Sequence, residues 1–179
     1  MSKFFTALAV MQLVEAGRLD LDTPVQRYIP EFRLADQEIS TETTVRNLLS
    51  QTSGISNMAG LKQCLGTGNK TIEQAVQELN TTKPAYSVGT KFQYSNANYI
   101  VLGLLIEAVS GESYGQYIHQ HIFEPLEMRN SFTSQKQAMQ HGMATGYRRW
   151  FGSPVSTDLP YLRHGIPSGY IISCAEDMT

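Results

Sequence analysis

The sequence predicts a mainly helical chain with one short strand. Three observations carry this reading. Two long runs, 4–16 and 97–110, are apolar, the first around nearly the whole helical circumference, capping residues announce several shorter helices, and a strand signal stands near 144–150. The 179 residues are enough for one domain with a sizeable core, and 41% hydrophobic against 17% charged residues describes a globular protein. A net charge of −2 without any basic run argues against a nucleic-acid surface, which needs clustered Lys and Arg, so small molecules are the expected partners. Cys64 and Cys174 are too few and too far apart to suggest a disulfide framework or a metal site.

In the first run only Thr6, Gln12 and Glu15 are polar, the pattern of a helix buried on all sides. Gly17 can turn left-handed past its last turn, and Arg18 follows at the negative end of the dipole. Its start is the anomaly. Lys3 puts a positive charge in the first turn, where the macrodipole disfavours it by roughly 0.3–1 kcal/mol, and no capping residue precedes it. A secretory leader is a poor fit, because Thr6 and Gln12 interrupt the apolar run and no small-residue cleavage site follows. A membrane span needs about 20 apolar residues.

Asp22-Thr-Pro24 then opens a short helix over Val25, Tyr28 and Ile29 that stops at Pro30. Residues 36–43 are polar and read as loop. Thr43 caps a helix carrying Val45, Leu48 and Leu49, and Thr52-Ser-Gly54 ends it in a turn. Residues 56–70 read as irregular. Thr71-x-x-Gln74 is a capping box ahead of an apolar stripe of Ile72, Ala75, Val76 and Leu79. An extended piece, 91–96, leads into the second long apolar helix, closed by Gly111. Ser113 caps a further helix through Tyr117, Ile118 and Ile122 that halts before Pro125. Ser173-x-x-Glu176 reads as another capping box.

Two other motifs carry less. Gly111-Glu-Ser-Tyr-Gly115 fits the nucleophile-elbow pattern, but a helix precedes it where a strand is required, so Ser113 is more simply a cap. His119 and His121, two apart on a helix, point to different faces, and no metal site is predicted.

The chemistry concentrates in Lys3 and in Tyr94-Ser-Asn96. With the segments Ser-Lys-Phe-Phe-Thr-Ala-Leu-Ala-Val-Met-Gln-Leu-Val-Glu-Ala-Gly, Leu-Asp-Thr-Pro-Val, Val-Arg-Asn-Leu-Leu-Ser-Gln-Thr-Ser-Gly, Phe-Gln-Tyr-Ser-Asn-Ala-Asn-Tyr and Phe-Glu-Pro-Leu-Glu-Met, the chain resembles the penicillin-recognising serine hydrolases over essentially its whole length. These include class C beta-lactamases, D-alanyl-D-alanine carboxypeptidases and related esterases. Their motifs are Ser-x-x-Lys at a helix start, Tyr-x-Asn, and a final His/Lys-x-Gly strand. The resemblance implies a beta-lactamase/transpeptidase-like α+β fold, of which residues 1–179 are one partial domain, mainly the helical region, with most of the antiparallel sheet missing. It implies catalytic roles for Lys3 and Tyr94 and substrate binding by Asn96, whose side chain also holds the lysine. It further implies attack on an amide or ester carbonyl through an acyl-serine, without metal or organic cofactor, on a beta-lactam, a D-Ala-D-Ala peptide or an ester. The source it suggests is bacterial and periplasmic, secreted or envelope-associated, with a cytoplasmic location left open.

Physical chemistry agrees with those roles. A serine hydroxyl needs a base in reach, and residues i and i+3 share a helix face. The positive end of a helix and apolar surroundings both disfavour an ammonium, which favours the neutral amine that a base must be. The departures are as informative. The position three before Lys3 lies ahead of Met1, so the nucleophile is expected outside this chain, and Ser2 is no substitute because adjacent helical residues do not face each other. The third motif is also absent, and the chain reads as truncated at both ends. Gln51 stands where relatives often have His, and Glu127 where they often have Gly; neither change is expected to alter the chemistry, though Glu127 strains a turn. With their sheet absent, Phe4, Phe5, Leu8, Met11 and Val14 are expected to form an exposed apolar patch. A rival reading is a non-catalytic protein that keeps the pocket and binds peptidoglycan-like or lactam ligands.

Overall fold

A computed structural model describes residues 1–65 and 70–179, and its organising element is the second long apolar run, helix α6 (Asn96–Ser110). Every residue from Ala97 to Ile106 is buried, as an all-round apolar helix requires. Around it pack α1 (Ser2–Glu15), α3 (Val45–Leu49), α4 (Asn57–Leu65), α5 (Ile72–Gln77), α7 (Tyr114–Ile118) and the short α9 (Ile166–Gly169). Gly103 is what lets α9 approach: a Cβ there would lie 2.3 Å from Pro167 Cγ. Gly111, at φ +79°, closes α6 in the left-handed region as expected.

Helix α1 starts at Ser2 without a side-chain cap and is closed by Gly17 at φ +68°. Its burial is one-sided. Phe5, Thr6, Ala9, Val10 and Leu13 face the core, while Phe4 (64% exposed) and Met11 (45%) form an open stripe with the half-buried Leu8. Phe5 departs from the expected patch because it meets Phe123 edge to face, with ring centroids 5.5 Å apart. Among the described residues, helices cover one side of α1 and nothing covers the other.

The local signals are confirmed unevenly. Thr71 and Gln74 form the predicted capping box of α5, and Ile72, Ala75, Val76 and Leu79 are buried. Ser113 caps α7 in a box with Gln116, and the helix continues as a π turn, His119–Phe123, before Pro125. The expected loop at 36–43 is instead a helix, α2 (Gln37–Glu42), capped by Asp36; its residues are mostly polar, so no apolar period announced it. Thr44, not Thr43, caps α3, in a box with Asn47, while the Thr43 hydroxyl donates back to the Ile39 carbonyl 2.7 Å away. The stretch expected to be irregular contains α4; residues 66–69 lie outside the described residues, as does the Cys64 side chain. Ser173 caps nothing: its hydroxyl pairs with that of Ser131 at 2.8 Å, and only a 3₁₀ turn, Glu176–Met178, follows. Glu127 takes φ +54°, the strained turn foreseen for it.

After α8 (Gln135–Gln140) comes the predicted strand, β1 (Gly146–Trp150), together with an unpredicted partner, β2 (Ser153–Thr157). The pair is antiparallel, in register from Gly146 opposite Thr157 to Trp150 opposite Ser153. This hairpin is the only sheet among the described residues, which leaves the α+β architecture mostly helical. Among the described residues no helix is long and apolar enough to cross a membrane.

Candidate active site

Lys3 projects from the first turn of α1, Tyr94 ends the extended segment before α6, and Asn96 is the first residue of α6. The fold brings all three together. Lys3 Nζ donates to Asn96 Oδ1 at 2.7 Å, and the Tyr94 hydroxyl donates to the same oxygen at 3.2 Å. The lysine nitrogen lies over the Tyr94 ring, 4.8 Å from its centroid, so amine and phenol are linked through Asn96 and through the ring face. Tyr99, one turn into α6, offers a second ring face at 5.5 Å, and burial raises its phenol above the ordinary tyrosine range. The Tyr94 side chain is 45% exposed and Lys3 is half-buried, so the cluster opens to solvent on one side.

A fourth participant comes from the far end of the chain. Lys3 Nζ also donates to the Ser168 carbonyl at 2.5 Å. Helix α9 is held beside the start of α1 by its neighbours in the same turn: the Ile171 N–H donates to Ser2 Oγ at 3.1 Å, and Thr6 Oγ1 donates to the Pro167 carbonyl at 2.7 Å. Thr6 Oγ1 also pairs with the fully buried Tyr114 hydroxyl at 2.8 Å; burial pushes that phenol well above its ordinary range. Ser2 is therefore a buried structural hydroxyl, consistent with its exclusion as a nucleophile.

The Tyr94-Ser-Asn96 segment is fixed from below by a buried polar network. Gln51 Oε1 accepts from the Ser95 N–H at 2.9 Å and from Asn98 Nδ2 at 2.6 Å, and Ser53 Oγ donates to Asn98 Oδ1 at 2.6 Å. The Gln93 N–H donates to the Gln51 carbonyl at 2.8 Å, and Ser95 Oγ donates to the Ser56 carbonyl at 3.0 Å. Gln51 achieves this at φ +62°, an uncommon conformation for a residue with a Cβ. Gly60 completes the seat: a Cβ there would meet the Asn96 nitrogen at 2.7 Å, so α4 can lie on the start of α6 only with glycine at that point. Sequence reading found Lys3, Tyr94 and Asn96 but missed the Ser168 carbonyl and undervalued Gln51. A main-chain acceptor carries no sequence signal, and the positive φ that aims Gln51 at the segment is visible only in the structure.

The family model for Beta-lactamase matches residues 1–179. The chain belongs to the beta-lactamase family. Protein flp of Staphylococcus aureus (strain MW2) is 30% identical over 177 residues, 99% of this chain and 36% of that protein. Among solved structures, the octameric penicillin-binding protein homologue from Pyrococcus abyssi superposes with a TM-score of 0.77 at 32% identity, covering 99% of this chain and 41% of that one. A D-stereospecific amidohydrolase from Streptomyces sp. gives 0.76 at 27% identity, covering 99% of this chain and 56% of that one. The chain thus spans about a third to a half of the length of these relatives. The fold is the beta-lactamase/transpeptidase-like α+β fold in its helical part, with a single hairpin as its sheet among the described residues.

Proposed function

We propose that this beta-lactamase family chain is the Lys/Tyr-bearing part of a serine hydrolase, within one catalytic domain of a longer protein, whose serine attacks an amide or ester carbonyl, expels the amine or alcohol to form an acyl-serine, and is freed by water. The observation that carries the reading is the convergence of Lys3 and Tyr94 on a single oxygen, Asn96 Oδ1, from positions more than ninety residues apart. In this mechanism the nucleophile is a serine three residues before Lys3, one helical turn away on the same face. A neutral amine has two N–H groups and one lone pair. The Asn96 oxygen and the Ser168 carbonyl accept the two N–H groups, which leaves the lone pair to take the serine proton. Tyr94, partly exposed beside the amine, relays a proton to the leaving group. Asn96 holds both partners through Oδ1 and offers its amide to a substrate carbonyl. Beta-lactams, D-Ala-D-Ala peptides and esters are the substrate classes, and the penicillin-binding and amidohydrolase names of the relatives support that range.

The test is a longer protein carrying the serine and the strand with the third motif. Lys3→Arg keeps a charge but cannot deprotonate, and should abolish acylation by a fluorescent penicillin or an ester substrate. Tyr94→Phe removes only the hydroxyl and should slow acylation about 10²–10⁴-fold. Ligand dissociation constants should stay near wild type in both. Wild-type acylation by Lys3→Arg would return Lys3 to a structural role at the mouth of a helix.

A further inference from the structure

The hairpin of β1 and β2 takes no part in the site, and its side chains are placed in a way a soluble surface does not require. Outside its first and last residues every position of both strands is exposed. Its two strands pack chiefly on each other. At the tip Phe151 is 94% exposed and Trp150 56%, and Tyr147 (67%) is exposed three residues further down β1, toward the base. Phe151 and Gly152 form the two-residue turn, at φ +45° and +85°. Both signs belong to a turn that favours Asn, Asp or Gly at its first position, so an aromatic ring occupies a place where a small polar residue would be less strained. Trp150 and Phe151 meet edge to face, with centroids 5.2 Å apart.

The charge around this tip has one sign. Arg148 and Arg149 flank the aromatics, and the Arg148 guanidinium lies 5.2 Å from the Trp150 ring centroid. Register places Arg148 and Trp150 on one face and Tyr147 and Arg149 on the other, so each face pairs an aromatic ring with a cation. From 128 to 157 the chain carries Arg129, Lys136, Arg148 and Arg149 and no carboxylate, although the whole chain has a net charge of −2. Asp158 is the first acid after the hairpin, at its base and away from the tip.

We propose that this hairpin is a membrane-surface contact, with the Trp150–Phe151 tip seated at the headgroup boundary of an anionic bilayer and Arg148 and Arg149 held against the lipid phosphates. Amphipathic aromatics favour that boundary, with rings toward the acyl chains, and arginine keeps its head at the polar level while its stem lies along apolar surface. A stable protein–protein interface takes about 20–30 residues a side, more than a projecting hairpin supplies, whereas a bilayer needs only a tip with apolar depth and a basic collar.

The 179-residue chain contains a single tryptophan, so its fluorescence reports on this tip alone. Phosphatidylcholine vesicles containing an equal part of phosphatidylglycerol should shift Trp150 emission to the blue and protect it from acrylamide. Pure phosphatidylcholine should do neither. Phe151→Ser should remove the response with the circular dichroism spectrum unchanged, and Arg148→Gln and Arg149→Gln should each weaken vesicle binding about fivefold. The double variant Phe4→Glu, Met11→Glu, altered in the open stripe of α1, should respond as wild type does. The proposal is overturned by an unchanged emission with anionic vesicles or by an equal response to neutral ones. Equal protection by soluble polyphosphate, a blue shift that grows with protein concentration without lipid, or loss of the response in the Phe4, Met11 variant would overturn it as well.

Discussion

Replacing Gln51 by Ala tests whether the Tyr94-Ser-Asn96 segment is held from below. The side chain is buried, and its Oε1 is the acceptor for the Ser95 N–H and for Asn98 Nδ2. Ser95 and Asn98 are both 0% exposed, so truncation strands two donors away from water. At about 1–3 kcal/mol for each buried donor left without a partner, the loss is about 2–6 kcal/mol. The backbone supplies an internal control. Gln51 sits at φ +62°, where Ala is as strained as Gln and only Gly is relieved, by about 1–2 kcal/mol. Gln51→Gly should therefore be less damaging than Gln51→Ala although it removes one more carbon. Asn98→Ala combined with Gln51→Ala should cost less than the sum of the two, with a coupling above about 0.5 kcal/mol, because the donor and its acceptor leave together. Urea unfolding followed by far-ultraviolet circular dichroism, in dilute protein, measures all four. A Gln51→Ala variant within about 0.5 kcal/mol of wild type, the range of an ordinary surface change, would refute the supporting role.

Gly103→Ala should displace Pro167 and with it the Ser168 carbonyl, costing about 1–3 kcal/mol as overpacking does; an unchanged urea midpoint would contradict that close approach. The open stripe of Phe4, Leu8 and Met11 should make the chain self-associate, and Phe4→Glu with Met11→Glu should return it to monomer in sedimentation velocity. Burial raises the Glu107 carboxyl above its ordinary value, so the folded state binds that proton more tightly than the unfolded state and stability falls as pH rises through the folded pKa. Glu107→Gln keeps an oxygen for the Tyr114 N–H, so its stability relative to wild type should increase from pH about 4 toward neutrality; a pH-independent difference would contradict the assignment. A fluorophosphonate probe should leave Ser2 and Ser113 unlabelled, because one is buried against Ile171 and the other is engaged as a cap; a stoichiometric adduct on either, seen by mass spectrometry, would overturn their structural assignment.

What the residues alone determined is what acts within a turn or two. The Thr71 and Gln74 box, the Ser113 cap and the left-handed Gly17 and Gly111 are written in adjacent side chains and in the φ that glycine tolerates, so they were legible before any packing was known. The long apolar run of α6 is buried from Ala97 to Ile106. The apolar run of α1 is only half buried, because burial also requires a neighbour on every side and a sequence window does not contain its neighbours. Helix α2 escaped notice for the converse reason: mostly polar residues around one buried serine, Ser40, carry no period, and the Asp36 cap is recognisable only once the helix is there. At the site, Lys3, Tyr94 and Asn96 could be picked out as residue types in a familiar spacing. That the amine rests against the Ser168 carbonyl, 165 residues away, and that Gln51 props the tyrosine segment, depends on the packing of α9 and α3 against α6. A carbonyl is the same in every residue, so only the tertiary structure decides which one a lysine finds.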